Sequence, residues 1–302
     1  YNGEEIMSDL EFDTLEKEVK LVNKGYVGSK NGNYTEKHSF IMGSLSKVQI
    51  KEDKKTGQVD WDMFAEELNK YLSKASGART YETTPKLDGC SFRVEISNIN
   101  DTANLESCST RGDGEFGTDI KHLFLKDFNG YNFRYIDACI ADICGPDDLL
   151  CISGEVLIKK TSFDSKYQEK FTNPRSFVAG TLGMKWENKS EQRTMANNLH
   201  FVCYDYRIFN KKTGKYKELS WMNPDDPTYH ILESYLGGIG ELPDAQYCQV
   251  HPYNGKLTGE ELKNIYYDYD DYRKNKANYA LDGVVFKPQC SARKYNLKVR
   301  PV

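Results

Sequence analysis

Lys86, in the run Thr84-Pro85-Lys86-Leu87-Asp88-Gly89, is the residue best placed by type and neighbours to act as a nucleophile. A lysine amine attacks electrophiles when desolvation or nearby cations keep it neutral. Asp88, two residues on, is suited to orienting that amine or balancing its charge. The run reads equally as a lysine on a tight surface turn after a strand, since Asp-Gly is a common turn pair. Thr110-Arg111-Gly112-Asp113-Gly114 joins glycines, which admit close backbone approach, to a guanidinium fork for phosphate or ribose oxygens. Taken by itself it is also simply a loop. Ser153-Gly154-Glu155-Val156 sets a carboxylate inside an apolar run, where an unpaired charge is costly. Glu155 therefore faces a ligand or metal, or its strand has a wet face. Arg175, after Asn173-Pro174, sits in a first helical turn, where a cation opposes the helix dipole; the plain alternative is a solvated arginine beside a cap. In Leu281-Asp282-Gly283-Val284-Val285-Phe286-Lys287, strand alternation puts Val285 and Lys287 on one face, and a lysine on an inner face suggests an anionic ligand. Lys298, near the C-terminus, is alone only a charged strand end.

Several chemistries are excluded. No P-loop or dinucleotide glycine fingerprint occurs, and no Gly-x-Ser-x-Gly elbow. Five histidines give little support to a triad or a histidine metal site. The formal net charge of -4 provides no general attraction to nucleic acid. No run of about 18 apolar residues is present, so no membrane helix is expected. The eight cysteines form no Cys-x-x-Cys pair, so no zinc is expected in this chain, and they read as reduced thiols of an intracellular protein. The chain begins at Tyr1 without a signal-peptide pattern, and the sequence leaves open whether it is a fragment of a longer protein.

The elements that must position these residues follow from pattern. Ser8 and Glu11 form a capping box, and Phe12, Leu15, Val19 and Val22 a helical stripe. Residues 25 to 33 read as a linker. A second helix begins after Asp60 with Trp61, Phe64, Leu68 and Leu72 inward. Strands are expected at 90–97, 104–110, 150–158, 199–209 and 280–287, with a hairpin tip at 210–215. Asn173 and Pro174 are the N-cap and N1 of a helix reaching about Gly183. Thr258 and Glu261 open a Tyr-rich helix. The absence of a regular βαβ rhythm predicts an α+β fold with mostly antiparallel sheets.

In this order the motifs resemble the NAD-dependent DNA ligases, a branch of the covalent nucleotidyltransferases. Lys86-Leu87-Asp88-Gly89 is similar to that family's adenylated-lysine motif. The Thr-Arg-Gly-Asp-Gly, Gly-Glu-Val, Phe-x-Asn-Pro-Arg with Ala-Gly-x-Leu, and Asp-Gly-Val-Val-x-Lys runs resemble its other signatures. Ser8-Asp9-Leu10-Glu11-Phe12-Asp13 is similar to its nicotinamide-mononucleotide segment, and His38 with Met42-Gly43-Ser44-Leu45 to its His-x-x-x-Met-x-Ser-Leu. The resemblance spans nearly the whole chain. It implies an adenylation domain over residues 34–302 with flanking helices, preceded by a small helical segment over 1–33 that binds nicotinamide mononucleotide.

The resemblance further implies NAD and Mg²⁺ as cofactors. Lys86 would be adenylated, with Asp88 beside it, and the AMP passed to a 5′-phosphate at a DNA nick. Tyr1, Asp9, Phe12 and Asp13 would hold the nicotinamide half. Ser44, Leu45, Thr84, Leu87 and Tyr204 would surround adenine, with Tyr204 stacked on it and Arg111 on the ribose. Arg175, Lys287 and Lys298 would supply cations near phosphate, and Asp282 and Glu155 would be metal or ribose partners. Thr84 stands where the family has Glu, Phe12 where it has Tyr, and Gly183 where it has Arg. The stretch from Lys287 to Lys298 is shorter than the family's. Its OB, four-cysteine zinc, helix-hairpin-helix and BRCT domains have no counterpart in these residues. The expected protein is a monomer, with weak affinity for nicked duplex DNA and no membrane contact. It would act inside the cell, in cytoplasm or at a nucleoid or viral replication site. Lys211, Lys212, Lys215 and Lys217 read as a solvated turn. Two other readings remain: an ATP-dependent polynucleotide ligase sharing only the lysine core, and a nucleotide-binding module without turnover.

Overall fold

The computed structural model describes residues 35–43, 45–50, 53, 56–73, 80–124, 140–187, 189–219, 248–289 and 299–301. The expected N-terminal helix lies outside them, as do Tyr1, Asp9, Phe12, Asp13, Ser44 and Lys298. The strands are β1 (Glu36–Lys37), β2 (Ser46–Val48), β3 (Thr80–Leu87), β4 (Cys90–Ile99), β5 (Thr102–Thr110), β6 (Phe116–Gly117), β7 (Asp148–Leu157), β8 (His200–Asn210), β9 (Lys215–Leu219), β10 (Gln249–Pro252), β11 (Leu281–Gln289) and β12 (Val299–Pro301). The helices used below are α1 (Trp61–Leu72), α2 (Lys160–Lys166), α3 (Pro174–Gly183), α4 (Ser190–Ala196) and α5 (Gly259–Asn275).

Two five-stranded sheets form the frame. One has the order β10-β3-β11-β12-β2 and the other β5-β4-β7-β8-β9. All pairings are antiparallel except β12 with β2. The expected α+β fold with mostly antiparallel sheets is thus what forms. No described helix is long and apolar enough to cross a membrane.

Each sheet has one apolar face, and helices cover it. Along β4, Phe92, Val94 and Ile96 enter a core shared with Ile152 of β7, Phe201 of β8 and Phe177 of α3. The intervening Ser91, Arg93, Glu95 and Ser97 go to the opposite face, the period-two pattern of a strand between unlike surroundings. In the other sheet Tyr81, Val284 and Phe286 pack with Phe64, Leu68 and Leu72 of α1 and Leu262 of α5.

Local signals explain the helices. The Asp60 side chain accepts from the Met63 amide at 3.0 Å and starts α1. Asn173 and Ser176 close a reciprocal capping box with Pro174 at N1 of α3, an arrangement worth about 1 kcal/mol at the cap. Thr258 and Glu261 do the same for α5.

The turn reading of Lys86 is corrected. Lys86 lies inside β3, paired with Gly283, and the turn is Asp88-Gly89. Two charged residues, Glu82 and Lys86, and Pro85 disguise the strand. Among the described residues β10 pairs with Thr80 to Thr83 alone, so no described strand flanks that side of β3 at Pro85, where a missing N–H is tolerated. Gly89 then joins the two sheets in a two-residue connection. A Cβ there would lie 2.1 Å from the Val156 carbonyl oxygen and 2.7 Å from Leu157 Cδ2. Gly89→Ala is accordingly expected to lower stability by about 2 kcal/mol or more, read as a reduced urea midpoint at unchanged slope.

Candidate active site

The polar faces of the two sheets carry the residues singled out by sequence. Cross-strand partners share a face. The register Lys86↔Gly283, Thr84↔Val285 and Glu82↔Lys287 therefore places Lys86, Thr84, Glu82, Val285 and Lys287 together. The pairing slips between Leu281 and Gly283, leaving Asp282 as the extra residue of a bulge. Bulges re-aim side chains, and this one brings the Asp282 carboxylate into contact with the Lys86 amine. The Lys86 side chain is only 7% exposed while Asp282 is 37% exposed, so the pair is approached from the Asp282 side.

On the second sheet Ser91 opposes Glu155. The Ser91 hydroxyl donates to Glu155 Oε2 at 2.8 Å, and the Tyr204 hydroxyl to the same oxygen at 3.3 Å. Tyr204 also occupies a bulge, since Ser153 pairs with Asp205 and Gly154 with Cys203. Burial pushes the Glu155 carboxyl pKa up, against the Ser91 hydrogen bond and the positive charges of Arg175, Arg111 and Lys86. Those couplings place three cations around one buried acid.

Arg175, in the first turn of α3, donates to Asp88 Oδ1 at 3.0 Å. Burial works to lower its pKa, but Asp88 outweighs that and the guanidinium stays charged. The pair is half exposed (53% and 30%), so it contributes little stability. Arg175 can exchange Asp88 for an incoming oxyanion at small cost. Cys90, adjacent to this cluster, is not a competing nucleophile: burial, then the Glu155 charge, pushes its thiol up to about 12.

Of the residues expected to act together, Lys86, Asp88, Arg111, Glu155, Arg175, Tyr204 and Asp282 converge. Thr84 and Lys287 share the Lys86 face, and Leu45 is partly buried. Leu87 is partly buried opposite Leu281. Asp282 and Glu155 are not a metal cage, because Asp282 meets Lys86 and Glu155 meets Ser91 and Tyr204. Among the described residues no group of three potential ligands occurs. The protein side chains alone therefore do not fit a resident Mg²⁺, an ion that habitually keeps waters and takes substrate phosphate oxygens.

Sequence reasoning missed Ser91 and a buried network beside it. Arg93 and Glu95 of β4 lie 4.0 Å apart, and Asp205 and Arg207 of β8 3.0 Å apart, all on the polar face. Segment 38–42 crosses this network. Ser39 gives its amide (3.0 Å) and hydroxyl (2.6 Å) to Glu95, and the Phe40 carbonyl accepts from Arg93 at 2.5 Å. The Arg93 guanidinium lies 3.8 Å from the centre of the Phe40 ring, and Phe40 stacks on Tyr216 at 5.1 Å. The alternation Ser91, Arg93, Glu95, Ser97 was the available signal.

The Glu155 environment sets a pH dependence. Its folded pKa lies above its ordinary value of 4.5. The stability it confers is therefore complete below that value and is lost as pH rises through the folded pKa. Relative to Glu155→Gln, the wild type is expected to lose urea resistance as pH rises from the ordinary carboxyl value of 4.5 through the raised folded pKa, with a level difference above it. A difference independent of pH would show that folding does not move the Glu155 pKa.

A family profile described as NAD-dependent DNA ligase adenylation domain matches residues 34–297. Protein 205R of Invertebrate iridescent virus 6 is 30% identical over 283 residues, covering 93% of this chain and 37% of its own. The DNA ligase of Acanthamoeba polyphaga mimivirus is 31% identical over 218 residues, 70% of this chain and 29% of that protein. The DNA ligase of Pelagibacter ubique is 27% identical over 299 residues, 93% of this chain and 38% of that protein. The chain thus spans only 29% to 38% of the length of these three relatives.

Proposed function

The chain belongs to the NAD-dependent DNA ligase adenylation-domain family, and from that premise we propose that it adenylates itself on Lys86 from NAD and passes the AMP to a 5′-phosphate at a DNA nick. The observation that carries this reading is the contact of the buried Lys86 amine with the exposed Asp282 carboxylate, coupled by charge to the buried Glu155. In the first step Lys86 Nζ forms a bond to the α-phosphorus of NAD. The phosphorus–oxygen bond to nicotinamide mononucleotide breaks, and its electron pair leaves on that phosphate. The Lys86 proton passes to Asp282 Oδ2, the acceptor already in contact. Catalysis of this kind is mostly positioning and charge stabilisation around the transferring phosphorus. Arg175, released from Asp88, and Lys287, on the Lys86 face, supply cations. Arg111 and Glu155 hold the ribose and the Tyr204 ring lies on the adenine. Mg²⁺, if carried in by the substrate phosphates, adds positive charge there.

Residues 1–33 supply the nicotinamide-side site, with Tyr1, Asp9, Phe12 and Asp13 as its contacts. Ser44, Leu45, Thr84 and Leu87 border the adenine, and Lys298 reaches the phosphates. The protein acts as an intracellular monomer without zinc in this chain, on nicked duplex DNA. Its net charge of -4 supports weak binding, since duplex affinity comes largely from neutralising several phosphates.

Intact-mass measurement after incubation with NAD and Mg²⁺, with ATP in parallel, tests this reading. One AMP is expected from NAD and none from ATP. Lys86→Ala should give no adduct; an adduct persisting on that variant would falsify the assignment. Removing residues 1–24 should stop adenylation by NAD, and an undiminished rate would refute the nicotinamide-side role.

A further inference from the structure

We propose that His38 is a positioning residue for dinucleotide binding, holding the peptide of Arg111 so that its guanidinium is presented to the nucleotide face. The inference rests on the adenylation reading above.

Arg111 is the first residue after β5 and opens a loop in which Gly112 and Gly114 have φ of 55° and 99°. Such a loop needs outside anchors to hold a long side chain in one place, because glycine there restricts the backbone least. Arg111 has two. Its amide donates to the Ser91 carbonyl at 2.8 Å, on the residue whose hydroxyl serves Glu155. Its own carbonyl faces His38 Nε2 at 3.1 Å.

The imidazole is fixed at both nitrogens. A carbonyl only accepts, so Nε2 carries the proton, and in the neutral ring Nδ1 is then an acceptor facing the Ser109 hydroxyl at 3.4 Å. Burial holds the His38 pKa below its ordinary value, which favours that neutral ring. Around it the fit is tight: a Cβ on Gly117 would come within 3.3 Å of His38 Cε1.

His38 is itself held by the network under its segment. Its amide donates to the Glu115 carbonyl at 2.9 Å, and the Met42 amide to that of Gly114 at 2.9 Å. Ser39 is clamped by Glu95 and Phe40 by Arg93. A continuous series of contacts thus runs from β4, through residues 38–40, to the Arg111 peptide. The Arg111 charge in turn reaches Glu155, Cys90 and Tyr204.

The test uses the full chain and single-turnover formation of the lysyl adduct over a range of NAD concentrations. His38→Ala is expected to raise half-saturating NAD about tenfold, the scale on which misplacement of a binding group acts, with the limiting rate little changed. His38→Gln, whose side-chain amide can still donate to the Arg111 carbonyl, should recover most of the loss. In an Arg111→Ala background, His38→Ala should add no further shift, because the peptide held by His38 then carries no guanidinium to present. Unchanged half-saturation in His38→Ala, or a full additional shift in the Arg111→Ala background, overturns the proposal. Should His38→Ala not fold, Ser109→Ala, which frees only Nδ1, is expected to shift half-saturation in the same direction by less, and no shift overturns it. Failure of the wild type to form any adduct would instead remove the adenylation reading itself.

Discussion

A β-sheet that buries charged side chains on one face must give each of them a partner, because an isolated buried charge costs far more than a pair. The β4-β7-β8 surface meets that constraint in two ways. At one end Arg93, Glu95, Asp205 and Arg207 balance one another and are covered by residues 38–42. At the other end Glu155 meets no cation directly among the described residues and relies on hydroxyls and on the fields of Arg111, Arg175 and Lys86. The first end is finished within the protein. The second leaves charge distributed over groups that are not balanced by direct ion pairs with one another, the arrangement on which the proposed dinucleotide site rests.

Lys86 obeys the same constraint from the other sheet. Its amine is buried, and Asp282 meets it only because β11 slips by one residue beside it. Tyr204 reaches Glu155 from a second slip, in β7–β8. Both irregularities lie where regular pairing would aim the side chain elsewhere, which agrees with the tendency of bulges to occur beside functional sites. A third slip, between β4 and β5 at Glu95 and Ile96, lies beside the buried charge network instead.

The long elements were legible in the sequence because their signals are local. The strands β4, β5, β7, β8 and β11, the capped helices α3 and α5, and the α1 stripe all follow from alternation, caps and helical spacing. What escaped is set by distant partners. β3 contains Pro85 and two charged residues, and it is a strand because β11 and β10 flank it. The pairs β1–β6 and β2–β12 are two or three residues long and have no periodicity to detect. Among site residues, Lys86, Glu155 and Arg175 were visible as residues unusual for their setting. Ser91 was not, since a serine in a strand is ordinary until its carboxylate partner, 64 residues away, is placed. The contact of Asp282 with Lys86 depends on a register slip that no alternation rule foresees.

The Asp88-Gly89 connection has a mechanical implication. Two residues span the passage from one sheet to the other, and Gly89 lies against the Val156 backbone with no room for a methyl group. A linkage so short and so closely packed cannot serve as a hinge. The spacing between the lysine on β3 and the acid on β7 is consequently set when the chain folds and does not wait for ligand. A dinucleotide bound as proposed would meet the two sheets at a spacing set beforehand, as a casting meets its mould.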